Sequence, residues 1–73
     1  MALFLFSVLD TKVGAYAAPF VCRTKGEAVR SFEQARRDSQ SMVSKYPADY
    51  RLYCVGEWDE NVGIIQPRSP WRS

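Results

Sequence analysis

The chain has 73 residues, two Cys, no His and a formal net charge of +2, with 47% apolar and 25% charged residues. This length makes one domain, able to bury roughly 60% of its unfolded surface, and the composition is that of a globular chain, not a disordered one. Two thiols without a histidine exclude a four-ligand zinc site and a disulfide scaffold.

Residues 2–9 are apolar and superficially resemble a signal-peptide core. No basic segment precedes them, no small-residue cleavage site follows, and Asp10 ends the run. No apolar run approaches the length that spans a bilayer. Residues 3–9 are therefore expected to form a buried strand, apolar on both alternating faces apart from Ser7. The chain is expected to work in the cytoplasm with reduced thiols and no membrane partner. Asp10-Thr11-Lys12-Val13-Gly14 reads as a hairpin loop, with Gly14 available for a positive φ. Residues 16–22 return as a second strand. Pro19 lacks an N–H, which puts that strand at an edge or on a bulge.

Thr24 and Glu27 are spaced as a capping box at the start of a helix over residues 25–38. Ala28, Phe32 and Ala35, with Val29 beside them, form its core face. Arg30, Glu33, Gln34 and Arg37 form the other face, where Glu33 and Arg37 are spaced as an i, i+4 ion pair. A further turn over residues 42–46 ends before Pro47. Residues 51–58 read as a third strand. Strict alternation puts Leu52, Cys54 and Trp58 on one face, and Arg51, Tyr53, Val55 and Glu57 on the other. Asp59-Glu60-Asn61-Val62-Gly63 repeats the Asp-x-x-Val-Gly chemistry of the first loop, and residues 64–66 form a fourth strand. Residues 67–73 set two Pro and two Arg around Trp71 and read as a C-terminal arm outside a single domain of residues 1–66. The predicted class is α+β, a ββαββ layout with a four-stranded antiparallel sheet and one helix packed on one face.

An enzyme is not expected. There is no His base, no evident nucleophile–base pair and no Gly-rich phosphate loop of the required spacing. Asp10 and Asp59 belong to turns, and Cys22 and Cys54 read as small buried apolar residues. No catalytic residue, metal or cofactor follows from the sequence.

The basic residues concentrate in the central third. Arg23 and Lys25 flank a helix N-terminus, where free N–H groups and a partial positive charge favour anions, and Gly26 leaves the first turn open. Arg30, Arg36, Arg37 and Lys45 continue the series. This is either a solvated helix face with internal ion pairs or a surface that tracks phosphates. Two Trp, four Tyr and four Phe exceed what so small a core hides. Phe4, Phe6, Phe20 and Phe32 belong inside. Tyr16, Tyr46, Tyr50, Tyr53, Trp58 and Trp71 carry polar handles, and Tyr53 is the candidate for stacking on a base of single-stranded nucleic acid. One helix covers one sheet face only. The other face meets solvent, a second subunit or a ligand, and the apolar first strand makes solvent the poorest fit. The small size independently predicts a homodimer or higher oligomer.

Several segments together resemble one family. They are Asp10-Thr11-Lys12-Val13-Gly14-Ala15-Tyr16, Pro19-Phe20, and Arg23-Thr24-Lys25-Gly26-Glu27-Ala28-Val29-Arg30-Ser31-Phe32. Lys45-Tyr46-Pro47-Ala48-Asp49-Tyr50-Arg51-Leu52-Tyr53, Gly56-Glu57-Trp58-Asp59 and Gly63 continue the series. In this order they are similar to the small nonstructural protein of microviruses, the gokushovirus-type single-stranded DNA phages. The resemblance spans about residues 5–65. It departs at Ala17-Ala18, where bulkier residues are usual, and at Ser39-Gln40-Ser41-Met42, where an Asn-Asp-Pro-like turn is usual. It implies a nonstructural protein made in the host bacterial cytoplasm. Its implied role is the switch from duplex replication to single-strand synthesis and packaging, with single-stranded DNA as the partner. The alternative is a module that binds a phage or host replication protein, or a capsid precursor, without touching DNA. The family carries over no agreed binding residues, so Arg23, Lys25, Gly26, Arg30, Arg36, Arg37, Lys45 and Tyr53 stand on chemistry alone.

Overall fold

In the computed structural model, which describes residues 2–72, the central strand is β1 (Ala2–Asp10). One flank of β1 pairs with β4 (Tyr50–Asp59) along its whole length, from Ala2 opposite Asp59 to Asp10 opposite Tyr50. The other flank pairs with two short strands, β2 (Ala15–Tyr16) and β3 (Phe20–Cys22). β5 (Ile64–Arg72) lies outside β4, and every pairing is antiparallel. Two helices, α1 (Lys25–Arg37) and α2 (Met42–Lys45), and a 3-10 turn (Pro47–Asp49) join β3 to β4.

The expected ββαββ order is thus corrected in two places. The returning strand of the first hairpin is divided. Leu9 stands opposite Tyr16, but Phe6 stands opposite Phe20, so Ala17-Ala18-Pro19 holds one residue more than β1 does across the gap. Pro19 has no N–H to give a ladder, and the segment bulges at the sheet edge. The Ser7 hydroxyl spans the irregularity, donating to the Ala17 carbonyl at 2.6 Å. Second, the tail joins the sheet. β5 runs through Pro67 to Arg72, with Trp71 opposite Cys54, and Arg68 forms an ion pair with Glu57. Ser73, the last residue of the expected arm, lies outside the described residues.

A bulge in β4 changes which side chains share a face. Phe6 pairs with Cys54 and Leu5 with Gly56, so Val55 is an inserted residue. The insertion reverses the alternation beyond it. Leu52 and Cys54 stay on the helix side with Phe6 and Val8, but Trp58 crosses to the other face, opposite Leu3. Glu57, opposite Phe4, comes to the helix side. The shared face expected for Leu52, Cys54 and Trp58 is corrected accordingly.

The core lies between α1 and the centre of the sheet. Phe6, Cys22, Ala28, Leu52 and Cys54 are buried, and Phe4, Val8, Phe20 and Phe32 pack around them. Cys22 and Cys54 stand on opposite flanks of β1, two strand spacings or about 10 Å apart, beyond the roughly 7 Å reach of a disulfide. Both thiols are free. The two loops share one geometry. Gly14 and Gly63 have φ of 76° and 69°, and each donates its N–H to the Asp that opens its loop, at 2.8 Å. The Asp10 carboxylate accepts from the Lys12 and Val13 N–H groups, and the Asp59 carboxylate from that of Asn61.

Candidate nucleic-acid interface

α1 opens as its sequence dictates. Thr24 is extended at φ −139°, and its hydroxyl oxygen accepts from the Glu27 N–H at 3.1 Å. The return half of the capping box is not made among the described residues. The Glu27 carboxylate instead lies close to the Cys22 thiol. Burial, then the Glu27 charge, push the Cys22 thiol above its ordinary range. Cys22 is therefore a protonated packing residue at neutral pH and a poor nucleophile.

Arg23, Lys25, Gly26, Arg30, Arg36, Arg37 and Lys45 are all exposed. Arg23 immediately precedes the cap and Lys25 opens the helix. Gly26, Arg30, Glu33 and Arg37 follow at helical spacing and share one stripe. Arg30 and Arg37 lie two turns apart, about 10 Å along the axis, and line a shallow groove of about 490 Å³ with Val29, Glu33 and Gln34. Glu33 does not pair with Arg37 as the spacing suggested. It meets Arg36 at 3.4 Å, with both groups more than two-fifths exposed, so the contact is a weak surface pair. Glu33 had two permitted partners, one three and one four residues on, and sequence spacing does not choose between them. Among the described residues, Arg23, Lys25, Arg30, Arg37 and Lys45 form no ion pair.

Arg36 points elsewhere. It lines a cleft of about 310 Å³ between α1 and β4, with Phe32, Pro47, Tyr50 and Leu52 among its walls. Lys45 sits in the last turn of α2.

Tyr53 is not brought to the helix cations. It pairs with Ser7, whereas the neighbouring Leu52 pairs with Val8 on the helix side. Tyr53 therefore lies on the opposite face of the sheet, half-buried, with its ring 5.8 Å from that of Tyr16 in an edge-on contact. Ser7, opposite Tyr53, is 2% exposed. Register puts Leu3, Leu5 and Leu9 of β1 on this face, with Val21 of β3, Trp58 of β4 and Ile65 of β5. Tyr16, Val21 and Ile65 are 46%, 49% and 56% exposed. Strand alternation signalled most of this set in the sequence, but not the reversal at Val55 that adds Trp58.

Among the described residues, no group of three or more His, Cys, Asp or Glu side chains has the geometry to hold a metal ion, and no helix is long and apolar enough to cross a membrane. The molecule thus has two distinct surfaces: a helix ridge with unpaired cations, and an apolar, aromatic sheet face behind it. A family model described as phage ORF5 protein matches residues 3–72. No match is found among curated proteins or among solved structures.

Proposed function

This chain belongs to the phage ORF5 protein family, and we propose that it is a nonenzymatic accessory of phage DNA replication that binds single-stranded DNA along the outer side of α1. We place it with the nonstructural proteins of gokushovirus-type microviruses, acting in the host bacterial cytoplasm. There it assists the switch from duplex replication to single-strand synthesis and packaging. The observation that carries the reading is the run of exposed cations Arg23, Lys25, Arg30 and Arg37 along one helix and its N-terminus, which form no ion pair among the described residues. Backbone contacts of this kind need no base recognition, which suits a protein that coats strands of any sequence. Tyr53 lies behind the sheet and is not part of this path.

The test is a titration of a labelled oligonucleotide at two salt concentrations. Neutralising three to five phosphates on a single strand gives a slope of log K against log salt of roughly −2 to −3.5. Arg30→Ala combined with Arg37→Ala flattens that slope and leaves the circular dichroism spectrum unchanged. Absence of binding at low salt, or affinity indifferent to salt, refutes the reading. It then favours the alternative, a protein-binding module working through the apolar sheet face.

A further inference from the structure

We propose that the sheet face opposite α1 is the interface of a two-fold homodimer, in which two chains stack sheet on sheet with their helices outward. The face is apolar. Leu3, Leu5, Leu9, Tyr16, Val21, Tyr53, Trp58 and Ile65 share it by register, and no carboxylate stands among them. Exposed Val21 on its β3 flank and exposed Ile65 on its β5 flank are what a solvated sheet face avoids and a packed one uses.

Two arguments select a second copy as the occupant. The first is area. Four strands at about 4.8 Å spacing and about 30 Å length give a face of about 570 Å² in plan, on the order of the 800 Å² of accessible surface that each partner commits to a stable interface. The second is charge. Two charged residues hold paired positions at one end of this face, Arg51 opposite Leu9 and Arg72 opposite Tyr53, with no carboxylate beside them, and the Arg51 guanidinium turns back to the carbonyls of Ala48 and Tyr50. Apart from that end the face is apolar, and an apolar face is complementary to itself, as a two-fold contact requires. A two-fold axis across the strands sets the Leu3–Trp58 end of one chain against the Leu9–Arg51 end of the other, which keeps the two Arg51 side chains apart.

The sheet edges are poor alternatives. Pro19 interrupts one edge, and Pro67 and Pro70 interrupt the other, so neither offers a continuous ladder to a new strand.

The experiment is light scattering on the DNA-free protein, so its result is independent of whether α1 binds DNA. The expected mass is twice the 8.4 kDa of one chain. Val21→Lys and Ile65→Lys change exposed side chains, and circular dichroism is expected to show an intact fold. Each position is used twice in a symmetric contact, so each substitution is expected to raise the dimer dissociation constant about 100-fold. Val13→Lys, on an exposed hairpin tip, is expected to leave it unchanged. A wild-type monomer at about 100 µM overturns the proposal, since an interface of this size is stable well below that. A dimer untouched by the two Lys variants also overturns it. So does an oligonucleotide that dissociates the dimer and loses affinity with Val21→Lys, which assigns the face to nucleic acid.

Discussion

Replacing Gly56 with Ala is expected to destabilise the fold. Gly56 stands opposite Leu5 on one side and Pro67 on the other, beside the Val55 bulge. A Cβ built there lies 2.9 Å from the Gln66 carbonyl oxygen and 3.4 Å from a Leu5 methyl. The nearer atom is backbone, so relief requires β5 to move away from β4. Overpacking of this kind costs about 1–3 kcal/mol. The unfolded chain returns about 0.4–1 kcal/mol of that, because Ala has less freedom to lose than Gly. The net loss is about 1–2 kcal/mol, or about 5–15 °C in Tm for a domain of this size. Urea unfolding at one fixed protein concentration, followed by tryptophan fluorescence and circular dichroism, measures it. Gly26→Ala is the matched control. Its nearest foreign atom is the Thr24 hydroxyl oxygen at 3.9 Å, and a helical Ala there is expected to stabilise by about 0.5 kcal/mol. Equal stability of Gly56→Ala and wild type would refute the close approach of the two backbones as the reason for that glycine.

Thr24→Ala removes the one side-chain acceptor at the α1 N-terminus and is expected to cost about 1 kcal/mol in the same urea assay; a Ser replacement restores it. Alkaline pH is expected to weaken the fold through Cys22. Burial, with Glu27 second, raises its thiol pKa in the folded protein above the ordinary 9.0. The unfolded thiol therefore ionises first, so the stabilisation is complete below about pH 9 and is lost as pH rises through the folded value. The urea midpoint should fall between pH 8 and pH 10, and fall less in Cys22→Ala; a midpoint that rises over this range would contradict the assignment. Tyr50, raised by burial and by Asp10, adds a loss of the same sign at higher pH.

The helix, its cap and both loops were legible because their signals are local: Thr24 before an amphipathic run, and Asp and Gly at fixed places in five residues. Three features were not. Val55 looks like any other strand residue, and its displacement shows only when the register of β1 is known on both sides of it. The tail from Pro67 has no hydrophobic period, because β5 is held by pairing with β4 and by the Arg68–Glu57 contact instead of by burial. Alternation separated Tyr53 from Cys54, but it does not say which face the helix takes. That choice is made by packing, when Phe32 and Ala28 settle on Phe6 and Cys22. The grouping of Tyr53 with the helix cations failed on this point, while the exposure of those cations follows from the helical period itself.

The central place of β1 also sets the timing of folding. The strand's longest partnership runs from Ala2 opposite Asp59 to Asp10 opposite Tyr50 and joins segments that lie far apart in the sequence. Local hairpin contacts with β2 and β3 form early but cover little of it. Such distant pairing slows closure and leaves the most apolar stretch of the chain exposed meanwhile. The sheet is thus committed to forming as one cooperative unit. A chain stopped before residue 59 keeps its helix signal and has no stable sheet on which to dock it.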